Sequence, residues 1–296
     1  MLRVLVPSSL VREAEDEREA TRKLGWVARA ATVFRADAVG VFDDPDGERH
    51  RGGGFVATVL SYAVTPPYLR KEVWDRRDEL EYAGVLPPLR PSGQTGSGSD
   101  GPGSRRQGLV TEVGPEGRVR GNCGLQHPVS LPVPSGMEVR EGERVTVRVS
   151  SREPVRARLL DDPLPGPSVE RVDLSAQLAR DDAGLRVGTS RHGRPLTVDQ
   201  LGGLTRRVER DGATVAFGAP ERGLPEILGI EHDALAAYRE AGAGRAVGSD
   251  VAVDDGAPGA PGRFDRWVDA FPNQGSEVVR TEEALFGVLA SLTLTE

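Results

Sequence analysis

The residues best suited to chemistry lie in three stretches. Ala213–Leu228 (ATVAFGAPERGLPEIL) runs a β-branched strand into Gly218, then Pro220 and Gly223, then the start of a helix. A strand–glycine loop–helix junction exposes backbone N–H groups at the carboxyl end of a strand, where α/β proteins bind nucleotides. Gly218 and Gly223 have the glycine spacing of half a P-loop. Leu224 and Pro225 stand where that loop needs Lys and Ser or Thr, so an ATPase is not expected. The second stretch, 271–292 (FPNQGSEVVRTEEALFGVLASL), is a loop carrying Pro272, Asn273, Gln274 and Gly275 that leads into a final helix. Val278 and Val279 are expected to return this loop to the core, and Thr281 to cap the helix. Glu282 and Glu283 then fall in its first turn, which the helix dipole favours with or without a function. In the third stretch, 27–34 (VARAATVF), Arg29 sits among small apolar residues and must find an acceptor or reach a cleft.

The elements that hold these stretches read as α/β. Residues 2–7 (LRVLVP) form a strand, with Ser8 or Ser9 expected to cap the next helix. Leu24, Val27, Ala28, Ala31 and Phe34 keep helical spacing along that helix. Residues 38–42 (AVGVF) give a second strand, followed by the polar loop DDPDGERHRGGG. A further helix is expected from about Pro67 to Ala83, stopped by Gly84. Residues 91–104 have the composition of a flexible linker. Short alternating segments follow (GLVTEV, GRVRGN, ERVTVRVS and VRARLL), the spacing of a small antiparallel barrel such as an OB-fold. The α/β pattern resumes with strands at 185–190 and 213–218 and helices near 225–241 and 281–292. Residues 241–262 read as a loop.

Together the three stretches resemble the SPOUT methyltransferases. VARAATVFRADAVGVF is similar to the family's first motif, FGAPERGL to its second, and FPNQGSEVVRTEEALFGVLASL stands in the place of its third. Gly218-Ala219-Pro220 and the run Glu277–Glu283 depart from the commoner pattern. With 65–90 (TPPYLRKEVWDRRDELEYAGVLPPLR) and 187–196 (VGTSRHGRPL), they resemble the archaeal and eukaryotic branch that carries an inserted OB-like domain and methylates uridine N3 in RNA.

That resemblance implies an α/β SPOUT domain with a parallel sheet from 1–90 and 169–296, knotted as a trefoil near 213–296, and an inserted all-β barrel at 105–165. It implies S-adenosylmethionine as cofactor, held by Phe217, Gly218, Pro220, Gly223, Leu224, Asn273, Gln274, Gly275 and Thr281, in a homodimer. Uridine N3 must lose a proton, so Glu221, Glu282 and Glu283 are candidate bases. Arg29 stays protonated and is instead a candidate to bind phosphate or stabilise the deprotonated base. Arg70, Lys71, Arg90, Arg105, Arg106, Arg118 and Arg120 are candidate RNA contacts, although the barrel is poor in aromatics for base stacking.

Composition narrows the classes. No apolar run is long enough to cross a bilayer, and the N-terminus turns acidic too early for a signal peptide, so a cytoplasmic protein is expected. The single cysteine, Cys123, excludes an internal disulfide and reads as a small buried residue. The histidines at 50, 127, 192 and 232 are scattered, His192 reads as a turn residue, and no metal is expected. A net charge of −7 argues against a generic nucleic-acid binder. Residues 105–158, however, hold ten arginines against six glutamates, so the remainder carries −11 and the insert is locally basic. Other readings are an RNA-binding or assembly protein that kept the fold without the activity, a SPOUT protein-arginine methyltransferase and, more distantly, a Rossmann-type dehydrogenase.

Overall fold

A computed structural model of the chain describes residues 1–89, 104–115, 117–152, 154–242 and 261–294. The strands are β1 (Leu2–Pro7), β2 (Ala38–Phe42), β3 (Ser104–Val113), β4 (Arg118–Asn122), β5 (Val129–Pro132) and β6 (Arg144–Arg152), followed by β7 (Val155–Leu160), β8 (Ser168–Val172), β9 (Leu185–Pro195), β10 (Ala213–Ala216) and β11 (Arg266–Asp269). The helices are α1 (Glu17–Val33), α2 (Gly53–Val64), α3 (Arg70–Val73), α4 (Leu174–Leu178), α5 (Val198–Asp211), α6 (Leu224–Ile227), α7 (His232–Gly242) and α8 (Thr281–Leu292).

Six strands form one parallel sheet in the order β11-β9-β10-β1-β2-β8. Alternation along β1 sends Val4 and Val6 into a core with Leu24, Val59, Leu204 and Leu289 from α1, α2, α5 and α8. Leu5 points the other way, into a core with Leu178, Leu224, Leu235 and Trp267. Helices therefore cover both faces, which is why β1 and β10 are buried along their whole length and mostly apolar, apart from Arg3, which bonds Asp182, and Thr214, which bonds Ala183 O.

A second, antiparallel sheet runs β5-β4-β3-β6-β7, with β5 and β7 approaching each other so that it nearly closes. Val110, Val119, Leu131, Val147 and Leu159 fill it, with Cys123 buried among them as the composition suggests. Strand β5 was not foreseen, because its prolines mask a run of only four residues. The chain leaves this sheet through β8, which returns to the parallel sheet beside β2. The expected linker falls on residues outside those described, apart from Ser104, which opens β3.

Local expectations fail at three places. Asp16, not Ser8 or Ser9, caps α1, accepting from the Glu19 N–H at 2.7 Å; both serines are buried against Asp44. The helix expected over 67–83 is three short turns, because the chain turns extended at Trp74 and the charged run after it has no continuous apolar face to bury. The real helix lies upstream, where Phe55, Val56, Val59, Leu60, Ala63 and Val64 carry helical spacing. Val278 is 40% exposed and does not return its loop to the core. The loop expected over 241–262 lies mostly outside the described residues.

The 65–90 stretch, which carries much of the resemblance, is where the second sheet docks. The Tyr68 hydroxyl donates to Gln107 O at 2.8 Å, and Asn122 Nδ2 donates to Glu72 Oε1 at 2.6 Å. Burial pushes the Tyr68 phenol up to about 12, so it stays a neutral donor across the working pH range.

Candidate functional site

The site is built where β9, β10 and β11 lie side by side. At the carboxyl end of β10 the Phe217 N–H still pairs with Leu5 O at 2.9 Å, and then the chain leaves the sheet. Ala219 and Arg222 bond each other in both directions, at 3.0 and 3.2 Å, across a tight turn of Pro220 and Glu221. Glu221 takes φ of +59°, a conformation that costs a non-glycine residue about 1–3 kcal/mol unless its surroundings impose it. The imposing contact is Arg222. Its guanidinium grips the Asp44 carboxylate through Nε at 3.1 and 3.0 Å and Nη2 at 3.0 Å, and reaches Glu226 at 2.9 Å. Asp44 in turn accepts from Ser9 Oγ at 2.5 Å, and its N–H donates to Ser8 Oγ at 2.8 Å.

The second loop leaves β11 at Asp269. The Phe271 N–H donates to Asp269 Oδ1 at 3.0 Å, and Gln274 Nε2 donates to the carbonyls of Ser276 and Glu277 at 2.8 and 3.1 Å. Thr281, the first residue of α8 rather than its cap, donates its hydroxyl to Gly218 O at 2.8 Å and so ties the two loops together. Glu283 accepts from the Arg280 N–H at 2.8 Å.

Between the loops lies a cleft of about 320 Å³. It brings together Phe217, Gly218, Pro220, Glu221, Gly223, Leu224, Gln274 and Thr281. Asn273 and Gly275 flank Gln274 but face solvent. Glu282 lies elsewhere, in a separate hollow where it and Glu13 flank the 5%-exposed Lys23, 3.8 Å from Glu282. Burial holds the Glu282 carboxyl above its ordinary value. Arg29 is half-buried on α1, without a partner among the described residues and away from the cleft.

The cleft also holds groups that sequence spacing missed. His192 belongs to β9 rather than to a turn, and its ring meets that of His232 at 4.9 Å. Arg191 Nε donates to His192 Nε2 at 3.3 Å. Burial, then Arg191 and His232, hold the His192 imidazole below its ordinary value. Asp269 is 6% exposed, and burial raises its carboxyl. Asp269 lines the cleft, and its Oδ2 has no hydrogen-bond partner among the described residues. No His, Cys, Asp and Glu group among the described residues is arranged to hold a metal ion, and no described helix is long and apolar enough to cross a membrane.

The family model described as "Putative RNA methyltransferase" matches residues 1–292. The chain belongs to this methyltransferase family. It is 66% identical to an uncharacterized protein of Halobacterium salinarum over 99% of both chains. It is 28% identical to the 28S rRNA (uridine-N(3))-methyltransferase of Mus musculus, over 98% of this chain and 75% of that one. The human protein of the same name is 26% identical, over 98% of this chain and 77% of that one.

The RNA contacts expected of this methyltransferase separate on inspection. Arg70 is spent internally, bonding the carbonyls of Thr65 and Ala63 at 3.1 Å and covering the Tyr62 ring. Arg106 is 5% exposed and points inside the barrel toward the carbonyls of Cys123 and Gly124, at 3.5 Å. Lys71 is exposed on α3, Arg105 pairs with Asp162 at 3.1 Å, Arg118 with Ser130 at 3.1 Å and Arg120 with Glu112 at 3.8 Å, all at the surface. Arg90 lies outside the described residues.

Gly218 makes the loop crossing possible. A Cβ there would stand 2.4 Å from the Leu224 N and 2.9 Å from the Gly223 carbonyl carbon, and neither backbone can yield cheaply. Gly218→Ala is expected to spread the loop and weaken methyl-donor binding roughly tenfold, or about 1.4 kcal/mol, as measured by calorimetry.

Proposed function

We propose that the chain is an S-adenosylmethionine-dependent RNA methyltransferase of the SPOUT class that modifies uridine N3 in ribosomal or other structured RNA. In this reading 1–90 and 169–296 are the methyltransferase domain, 105–165 is the inserted barrel, and the segment near 213–296 is threaded as a trefoil knot. The protein works in the cytoplasm as a homodimer. The observation that carries the reading is the cleft between two bonded loops at the carboxyl ends of β10 and β11, the parallel strands on either side of β9, in a chain whose mammalian relatives bear that activity in their names.

The residues present suit the donor. Phe217, Val268 and Val288 give the cleft an apolar wall, and the N–H groups of Gly218 and Gly223 take no partner among the described residues. The carboxylates of Glu221, Asp269 and Glu277 suit a positively charged sulfonium. When bound, the donor would supply an electrophilic methyl carbon, to which the attacking nitrogen bonds in line as the sulfur leaves as a neutral thioether. Asp269 Oδ2 receives the N3 proton, since burial has already brought its basicity toward the working pH. His192 stays neutral beside it, and Arg191, exposed at the rim, draws in the RNA phosphates.

Two measurements test this. Calorimetry should show S-adenosylmethionine binding, and no binding at millimolar donor would overturn the enzyme reading in favour of a non-catalytic RNA-binding protein. Mass spectrometry of ribonucleosides from a deletion strain should show loss of a methylated uridine. Persistence of every RNA modification there would overturn the RNA substrate.

A further inference from the structure

The barrel carries a feature that neither the cleft nor its chemistry uses. Strand register places Arg105 of β3 directly opposite Arg148 of β6, and Arg148 directly opposite Arg158 of β7. Directly opposed residues of antiparallel neighbours share a face, so the three guanidinium groups form one row across three strands. The row faces outward: Arg148 lies between the buried Val147 and Val149, and Arg158 precedes the buried Leu159. Arg156, exposed two residues before Arg158, extends the patch along β7.

Like charges directly opposite each other weaken a sheet, and this row is neutralised at one end only. Arg105 pairs with Asp162 at 3.1 Å, whereas Arg148 and Arg158 have no acidic partner among the described residues. Two described glutamates of the barrel are occupied elsewhere, Glu112 against Arg120 and Glu143 on the Arg140 N–H. On a chain of net charge −7, such a patch is a local positive surface for a polyanion. Neighbouring strands lie about 4.8 Å apart, so the row spans roughly 10 Å, within reach of two or three successive phosphates. The three strands (SRRQGLVTEV, RVTVRVSSR and VRARLL) contain no Phe, Tyr or Trp, so the face has nothing on which to stack bases.

We infer that the outer face of β3, β6 and β7, along Arg105, Arg148 and Arg158, is where the barrel grips the phosphate backbone of the RNA substrate, without reading its sequence. The inference rests on the RNA reading above and adds a surface to it. Base choice is then left to the cleft, and the barrel contributes affinity.

The test is fluorescence anisotropy of the full-length protein with a fluorescein-labelled RNA hairpin across a potassium chloride series. R105Q/R148Q/R158Q is expected to bind more weakly and to flatten the slope of log affinity against log salt by about 2. R105K/R148K/R158K, which keeps the charge, should restore most of the slope. In methyl-transfer assays the glutamine variant should raise KM for RNA with kcat and the modified nucleotide unchanged. Unaltered donor binding by calorimetry shows that the variant is folded. If the wild type binds RNA and the glutamine variant keeps its slope, the inference is overturned while the RNA reading stands. If the wild type binds no RNA, both fall. Displacement of the hairpin by polyglutamate as readily as by unlabelled RNA would also overturn it, pointing to an acidic protein as the occupant.

Discussion

Asp269→Asn is expected to reduce kcat for RNA methylation by about 10²- to 10⁴-fold, the range for loss of a general base, with donor affinity nearly unchanged. The substitution keeps the shape and the Oδ1 acceptor for the Phe271 N–H and removes only the basicity of the second oxygen of this cleft-lining side chain. The pH profile gives the second sign. Burial raises the Asp269 carboxyl above the ordinary 3.8, so the wild-type rate should climb with pH through a midpoint above the usual aspartate range, and the variant should lack that limb. His192 is shifted the opposite way, below its ordinary value, chiefly by burial. Stability separates this loss from a folding defect. A carboxyl raised in the folded state binds its proton more tightly there than in the unfolded chain. Its stabilising contribution is therefore lost as pH rises through the folded value, and ionised Asp269 is a net cost at neutral pH. The asparagine variant should melt no lower than the wild type at neutral pH. A variant with kcat within twofold of wild type would remove Asp269 from the mechanism.

Most of the scaffold was legible because burial leaves a periodic trace. The stripe Leu24, Val27, Ala28 and Ala31 on α1, the strands at 2–7, 38–42 and 213–216, and four of the five barrel strands lie where the pattern put them. Helix α2 was missed because its β-branched residues look like a strand, although the pairs at 55–56, 59–60 and 63–64 keep helical spacing. At the site, the resemblance supplied loops that do line one cleft, but a linear motif does not say which way each side chain points. Thr281 and Glu282 are consecutive on α8, about 100° apart around its axis, so both could not face the cleft. Arg105 and Arg106 are consecutive on β3 and had to take opposite sides, a period-two signal that separates the surface arginine from the buried one. The meeting of His192 with His232 and the row Arg105–Arg148–Arg158 left no such trace, because each depends on the register of segments far apart in the chain.

The second large effect is expected at Asp44, which never touches the cleft. Asp44 is 3% exposed, and the Arg222 side chain that grips it is 16% exposed. Asp44→Ala leaves a largely buried guanidinium without its main partner, and loss of one member of a buried pair costs about 3–5 kcal/mol. Here the lower end is expected, because Glu226 still holds Nη1 at 2.9 Å. The consequence reaches the site through the chain. Arg222 closes the turn that keeps Glu221 in its left-handed conformation and sets Gly218 under the Thr281 hydroxyl. Once released, the turn relaxes toward ordinary backbone angles, and donor affinity should fall roughly tenfold or more, about 1.4 kcal/mol at the least. Asp44→Ala/Arg222→Ala should be less destabilised than the sum of the two single variants, because the second truncation removes the charge that the first left unpaired. Glu221→Gly, which accepts the positive φ without strain, should recover part of the donor affinity in the Asp44→Ala background. Urea unfolding and calorimetry on the four variants measure both arms. If the single variants simply add, and glycine at 221 recovers nothing, the pair does not hold the loop.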